Sequence, residues 1–303
     1  FSKGLTPSNK TQEFQVNLSA HAYSYGNGDR KVRVLRPIID KISVTVPVLD
    51  PDERKGYCDR IMGLSKPDEH LQFKAVSKSD KHYKYNIHWM HVESGQAVLI
   101  QAQPKSSAAK NFLRFEFNPD RLGAEGMLAF KKALYSDFSM KNMWYGLLIE
   151  KGRCTRLDVA CDMANAPTDE LIVIGKGTGK KHAYYSAESA METTYLDLPK
   201  TGGSKKTIYD KLSQQEETSE ALSFGGIHHT RIEITHGGTA LAKLSGIHNP
   251  FKRVRILHPI TVPAVTDKMV WDLFLDSCRF RGIEQAIERL SDKLKKSFLE
   301  TLD

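Results

Sequence analysis

The stretch "CTRLDVACDM", residues 154–163, decides how this chain reads. Strand alternation places Leu157, Val159, Cys161 and Met163 on one face, and Arg156, Asp158, Ala160 and Asp162 on the other. The first face belongs to a core. The second is too acidic for packing and too regular for a loop, so it looks toward solvent or a site.

Three further runs carry the same alternation. In "HHTRIEITH" (228–236), His229, Arg231, Glu233 and Thr235 share a face while Ile232 and Ile234 point away. In "RFEFNP" (114–119), Arg114 and Glu116 oppose Phe115 and Phe117; in "KKTIYDK" (205–211), Thr207, Tyr209 and Lys211 stand together. Side by side in one sheet, these faces collect carboxylates, a histidine, a lysine and a tyrosine over an apolar layer. Converging carboxylates suit Mg2+ or Mn2+, which prefer oxygen donors. A tyrosine beside such a metal can attack a phosphodiester. Taken singly, each residue also has a plain structural reading: a strand carboxylate facing an arginine is a cross-strand ion pair, and a strand tyrosine is packing.

The rest of the chain fills out an α+β pattern. Residues 1–36 are polar and read as a flexible or extended arm. A first α/β unit spans 37–150: strand "IDKISVTVPV" (39–48), a helix capped by Asp50 with Pro51 at its first turn, then strands "LQFKAV", "HYKYNIHWMHV" and "QAVLIQAQ". Glu93-Ser94-Gly95 joins the last two as a hairpin, and "NFLRFEFNPDRL" gives a strand and then a helix around 125–136. A second unit, 151–260, repeats this order, and "FLRFEFNPDRL" and "HTRIEITHGGTAL" both read Arg-φ-Glu-φ, a turn and a helix start. The expected fold is therefore two related α/β units with mainly antiparallel sheets. A helical segment, 261–303, closes the chain, with Trp271, Phe274, Leu275, Cys278, Ile283, Ala286, Ile287, Leu290 and Leu294 at helical spacing and a slip at Gly282.

Composition narrows the partners. The 303 residues carry a formal charge of +8, which favours a polyanion. No run of about 18 apolar residues occurs, so no membrane span is expected. Cys58, Cys154, Cys161 and Cys278 form no C-x-x-C pair and read as reduced core residues of a cytosolic protein. "GKGTGKKH" (175–182) fails as a phosphate loop, because its glycines are too close and Lys181 stands where Ser or Thr is required. It reads instead as a basic loop, as does "GGSKK" (202–206). Lys180, Lys181, Lys205, Lys206, Arg253 and Arg255 are the expected phosphate contacts.

"CTRLDVACD", then "YLDLPKTGGSKKTIYDKLSQQEE", then "HTRIEIT" resemble, in order and spacing, the replication initiation factors of the Rep_trans type. These are rolling-circle initiators of small plasmids and filamentous phages, and related conjugative relaxases share the pattern. "NPF" (249–251) and "WDLFLDSCRFRG" (271–282) resemble their C-terminal part, so the likeness covers roughly residues 38–290. The chain departs from the pattern at Asp197, where glycine is usual, in the spacing of Glu216 and Glu217, and in having His-His where the wider superfamily has His-φ-His.

The resemblance implies an HUH-nuclease or RRM-like fold and a bacterial cytoplasmic enzyme. That enzyme nicks one strand at an origin, forms a 5′-phosphotyrosyl link and rejoins the strand. On this likeness Tyr209 is the nucleophile, with Tyr195 the runner-up. Asp158, Glu233 and, more weakly, Asp162 hold Mg2+ or Mn2+. Lys211 steadies the phosphate and His229 ligates or shuttles a proton. The DNA partner is an origin, single-stranded or in supercoiled duplex, with a host helicase and a homodimer left open. The rival readings are a conjugative relaxase and a non-catalytic single-strand binder that stacks bases on Tyr184, Tyr185 and Tyr195.

Overall fold

The computed structural model describes residues 15–18, 21–27, 30–65, 73–75, 82–106, 112–138, 150–174, 180–185, 191–198, 204–218, 221–237, 250–261, 266–281 and 283–302. In chain order, β1 (Gln15–Val16), β2 (Tyr23–Asn27), β3 (Arg30–Val34) and β4 (Ile38–Val46) precede helix α1 (Pro51–Leu64). Next come β5 (Phe73–Ala75), β6 (Tyr83–His91), β7 (Gln96–Pro104), β8 (Leu113–Phe117) and α2 (Pro119–Ser136). β9 (Arg153–Ala164) leads through a 3-10 turn at Thr168–Glu170 to β10 (Ile172–Ile174), β11 (Lys180–Tyr185), β12 (Met191–Leu198) and β13 (Ser204–Asp210). Then follow α3 (Lys211–Glu217), β14 (His229–Gly237), β15 (Arg255–Leu257) and the helices α4 (Lys268–Arg281), α5 (Ile283–Glu288) and α6 (Asp292–Leu302).

The fold is α+β, and every strand pair among the described residues is antiparallel. One long sheet runs β11-β12-β13-β14-β9-β4-β8-β7-β6-β5. From the central β4–β9 pair outward, both halves have the same order: first strand, last strand, then the intervening strands in descending sequence. The sheet therefore continues across residue 150, the expected boundary between units.

Local chemistry explains where the first two helices start. Asp50 accepts from the amides of Asp52 (2.7 Å) and Glu53 (3.1 Å) and so caps α1, with Pro51 in the first turn. Asn118 does the same for α2 by accepting from the Arg121 amide at 2.9 Å.

The described part of the amino-terminal segment differs from an arm. β2 and β3 form a hairpin, and β3 pairs with the end of β9. Val32 and Val34 are buried, and their alternation supplies the driving force that the polar composition obscures. Gly26 is required in this hairpin: its φ is +135°, and a Cβ there would meet the Arg30 carbonyl oxygen at 2.3 Å.

The apolar faces of β9, β13 and β14 (Leu157, Val159, Cys161, Ile208, Ile232, Ile234) join one core with Trp89, Phe115 and Phe130. Phe130 of α2 lies 5.4 Å from Trp89 and 5.9 Å from Phe117, ring centre to ring centre. Truncating such a ring to alanine costs about 3–5 kcal/mol. A second core gathers Trp271, Phe274, Leu275, Cys278, Ile283, Ala286 and Ile287 of the C-terminal helices against Ile172 and Leu257. All four cysteines are buried and free. No helix is long and apolar enough to cross a membrane among the described residues.

Candidate functional site

The core lies on one face of the long sheet, so the alternate residues of β9, β13 and β14 project from the other. Cross-strand register sets them in rows: Tyr209–Arg231–Asp162, then Thr207–Glu233–Ala160, then Lys205–Thr235–Asp158. Tyr209 and Glu233 are diagonal neighbours, a relation that sets Cβ atoms about 7–8 Å apart at most. The four residues read from the sequence as nucleophile and acids thus meet on one face. His229 shares that face by alternation.

The acids differ in what they touch. Asp158 is 2 % exposed and is gripped by Arg156 through Nε (3.0 Å) and Nη2 (2.6 Å). Asp162 accepts from Arg231 Nε at 2.7 Å and Nη2 at 2.8 Å, while Arg231 Nη1 reaches Asp40 at 2.6 Å. For these two aspartates the plain reading, a strand ion pair, describes what the side chains do.

Glu233 is the exception. Among the described residues it accepts a hydrogen bond only from the Thr235 hydroxyl, at 3.2 Å. Burial raises its pKa, and the charges of Asp158 and Asp40 raise it further.

The matching acid of the other half shows the contrast. Glu116 pairs with Ser43 across β4–β8 as Glu233 pairs with Ala160 across β9–β14. It accepts from Ser43 Oγ at 2.6 Å and lies 3.2 Å from Lys41 Nζ, with Arg114 also bonded to it. Burial pushes its pKa up, but these partners hold it below the usual range. The same register sets Gln101 opposite Arg114 where Tyr209 stands opposite Arg231, and Thr45 where Asp162 stands. Among the described residues, one half has a tyrosine and a carboxylate with no cation bonded to it, whereas the other has a glutamine and an acid bonded to Lys41 and Arg114.

Two polar atoms near Glu233 and Tyr209 are also unsatisfied. Thr207 Oγ1, on the residue facing Glu233, is buried without a hydrogen-bond partner among the described residues. His229 is 1 % exposed; its Nδ1 lies 3.1 Å from the Ile227 carbonyl, its ring meets Phe224 edge-on, and Nε2 has no partner among the described residues. An unmet buried group costs about 1–3 kcal/mol, and such groups gather where a ligand completes them. Burial also lowers the His229 pKa. Tyr209 moves the other way: burial raises its phenol, Arg231 opposes the shift, and Glu233, Asp40 and Asp162 add to it.

Lys211 does not continue the tyrosine's strand. β13 ends at Asp210, whose carboxylate caps α3 by accepting from Leu212 N (2.9 Å) and Ser213 N (3.2 Å). Lys211 therefore opens the helix, is buried, and bonds Gln214. Lys205 sits on the acid face with its Nζ 4.9 Å from the Tyr195 ring centre, whereas Lys206 pairs with Ile234 on the opposite face. Lys180 and Lys181 lie in β11, Arg253 in a 3-10 turn and Arg255 in β15; the side chains of these four lie outside the described residues. So do residues 175–179, 202–203 and 238–249 of the expected basic loops and turn.

Sequence reading overlooked Asp40 as a site residue. A register irregularity in β4 between Ile39 and Lys41 brings it to Arg231, and periodicity does not reveal such a bulge. Among the described residues, no group of three or more His, Cys, Asp or Glu side chains is arranged to hold a metal ion. With Asp158 and Asp162 held by arginines, the donor set as paired does not fit a three-ligand Mg2+ or Mn2+ site.

No protein-family model matches this chain, and no curated protein is significantly similar to it.

Proposed function

We propose that this protein is a DNA strand-nicking and rejoining enzyme of the rolling-circle initiator kind, with Tyr209 as its nucleophile. The observation that carries the reading is the diagonal placement of Tyr209 beside Glu233 on one sheet face, Glu233 being a half-buried carboxylate of raised proton affinity that no cation among the described residues holds. The equivalent acid of the other half is bonded to Lys41 and Arg114, which hold its pKa down.

The chemistry follows from these groups. The Tyr209 oxygen attacks phosphorus, the bond to the 3′-oxygen breaks, and a 5′-phosphotyrosyl ester forms. The phenol proton passes to Glu233, and the departing 3′-oxygen takes a proton from water. Reversal with a 3′-hydroxyl restores the strand. Phosphoryl transfer depends mainly on positioning and on charge set against the phosphate; Lys205, on the same face, offers a cation, while Arg231, directly across from Tyr209, is held by Asp162 and Asp40. The +8 balance suits a DNA partner. Mg2+ or Mn2+ is the cofactor expected from the resemblance; because the donors do not fit as paired, no step is routed through it.

The test is incubation with supercoiled DNA of the cognate replicon, with Mg2+, with Mn2+ and with chelator. A nicked circle carrying covalently attached protein is expected, and the adduct maps to Tyr209. Absence of an adduct under all three conditions overturns the reading and leaves a non-catalytic binder.

A further inference from the structure

The polar face continues past Tyr209 to the edge of the sheet. Tyr195 of β12 faces Thr207, and Tyr184 of β11 faces Thr193, whose other neighbour is Tyr209. Both rings therefore share the face of Tyr209 and Glu233. Tyr184 is 57 % exposed, and its ring meets Tyr195 edge-on at 5.7 Å and 89°. Lys205 Nζ lies 4.9 Å from the Tyr195 ring centre. An exposed tyrosine on an edge strand contributes little to a core, and here it extends a row of aromatic rings with a cation set among them.

We propose that Tyr184 and Tyr195, with Lys205, form a stacking platform for the unpaired DNA strand that leads to Tyr209. A base offers a flat π-face to each ring whatever its sequence, and the ammonium answers the backbone charge. A duplex hides its base faces within the stack, so the platform selects single strands. From β11 to β14 the sheet spans three strand spacings, about 15 Å. A strand stacked on the outer tyrosines thus runs inward to the Tyr209–Glu233 pair. The direction of that path rests on the proposed function; the platform itself does not.

The test uses the full chain in chelator, so that no cleavage occurs, and fluorescence anisotropy with a labelled oligothymidylate and a duplex of equal length. Tyr184→Ala and Tyr195→Ala should each weaken oligothymidylate binding on the order of ten-fold, the effect of losing one stacked base, and leave duplex binding little changed. Tyr184→Phe should bind nearly as the parent does, since the ring is kept. Lys205→Ala should reduce the salt slope by about 0.7, the value for one phosphate contact on a single strand. Tyr135→Ala removes another exposed tyrosine, on α2 at the far side of the sheet, and should change nothing. Far-UV circular dichroism confirms folding of each variant; Tyr184, being exposed on an edge, keeps the test open should Tyr195→Ala fold poorly.

Parent-like oligothymidylate binding by Tyr184→Ala, or an equal loss on duplex, overturns the platform. The two readings separate cleanly. Weakened binding in the variants with no adduct in the parent sinks the nicking reading and keeps the platform; an adduct with unaltered single-strand binding does the reverse.

Discussion

Arg231 and Asp162 form a two-point ion pair across the β14–β9 ladder, both side chains being about nine-tenths buried. Burial alone would lower the arginine's pKa, but the bonds to Asp162 and the nearby Asp40 raise it. The pair fixes the guanidinium opposite Tyr209, as part of the scaffold that carries the proposed nucleophile.

Removing one partner of that pair leaves a buried charge behind. Asp162→Ala should destabilise the fold by about 3 kcal/mol, the lower end of the 3–5 kcal/mol range for broken buried pairs, because Asp40 still holds Nη1. Urea unfolding measures this. A loss under about 1 kcal/mol would show that the pair matters little to the fold.

Glu233 should weaken the fold when ionised. Its pKa in the folded protein lies above the ordinary 4.5, so the native state binds its proton more tightly than the unfolded chain does. Its share of stability is greatest at low pH and falls as pH rises from 4.5 through the raised value. Glu233→Gln should therefore be more stable than the parent at pH 7 and equal to it below about pH 4.5. It should also nick poorly. A variant less stable than the parent at neutral pH would contradict the raised pKa.

The opposite sign holds at Glu170. Burial works to raise its pKa, but hydrogen bonds from His258 (3.0 Å) and Arg30 (2.9 Å) hold it down at about 2. Its contribution is present above pH 4.5 and is lost as pH falls toward 2. Because Arg30 belongs to β3, the contact ties the amino-terminal hairpin to the 168–170 turn. Glu170→Gln should flatten the acid limb of the stability curve between pH 4.5 and 2, read by thermal unfolding at a series of pH values. An unchanged acid limb would mean that other carboxylates set it.

Tyr209→Phe should fold and bind DNA as the parent does while forming no adduct, since only the hydroxyl is lost. In the parent, the raised phenol pKa keeps the tyrosine protonated at neutral pH and Glu233 must be ionised to accept its proton, so nicking should rise with pH through the raised Glu233 value and then level off. Peptide mapping decides between the hairpin's tyrosines. An adduct on Tyr195 in the parent would move the nucleophile one strand outward.

The sequence by itself determined the strands and their two faces. Period-2 alternation in residues 154–163 and 228–236 is dictated by the geometry of an extended chain, and one apolar face must be buried. It also determined the cap at Asp50, which is local chemistry; the second helix, expected around 125–136, starts earlier, at Pro119. The end of β13 lay one residue beyond that reach: Asp210 capping α3 turned Lys211 out of the tyrosine's strand, although an alternating pattern continued through it. What each acid does was decided only by the tertiary structure. Asp158, Asp162 and Glu233 look alike along the chain, yet two meet arginines and one meets a hydroxyl. Arg156 reaches Asp158 from two residues away on its own strand, but Asp162 meets Arg231 only through register between strands about 70 residues apart, and an irregularity swings Asp40 onto Arg231. Electrostatic fate depends on neighbours within a few ångströms, and those neighbours are set by pairing between distant strands, which periodicity along one strand does not encode.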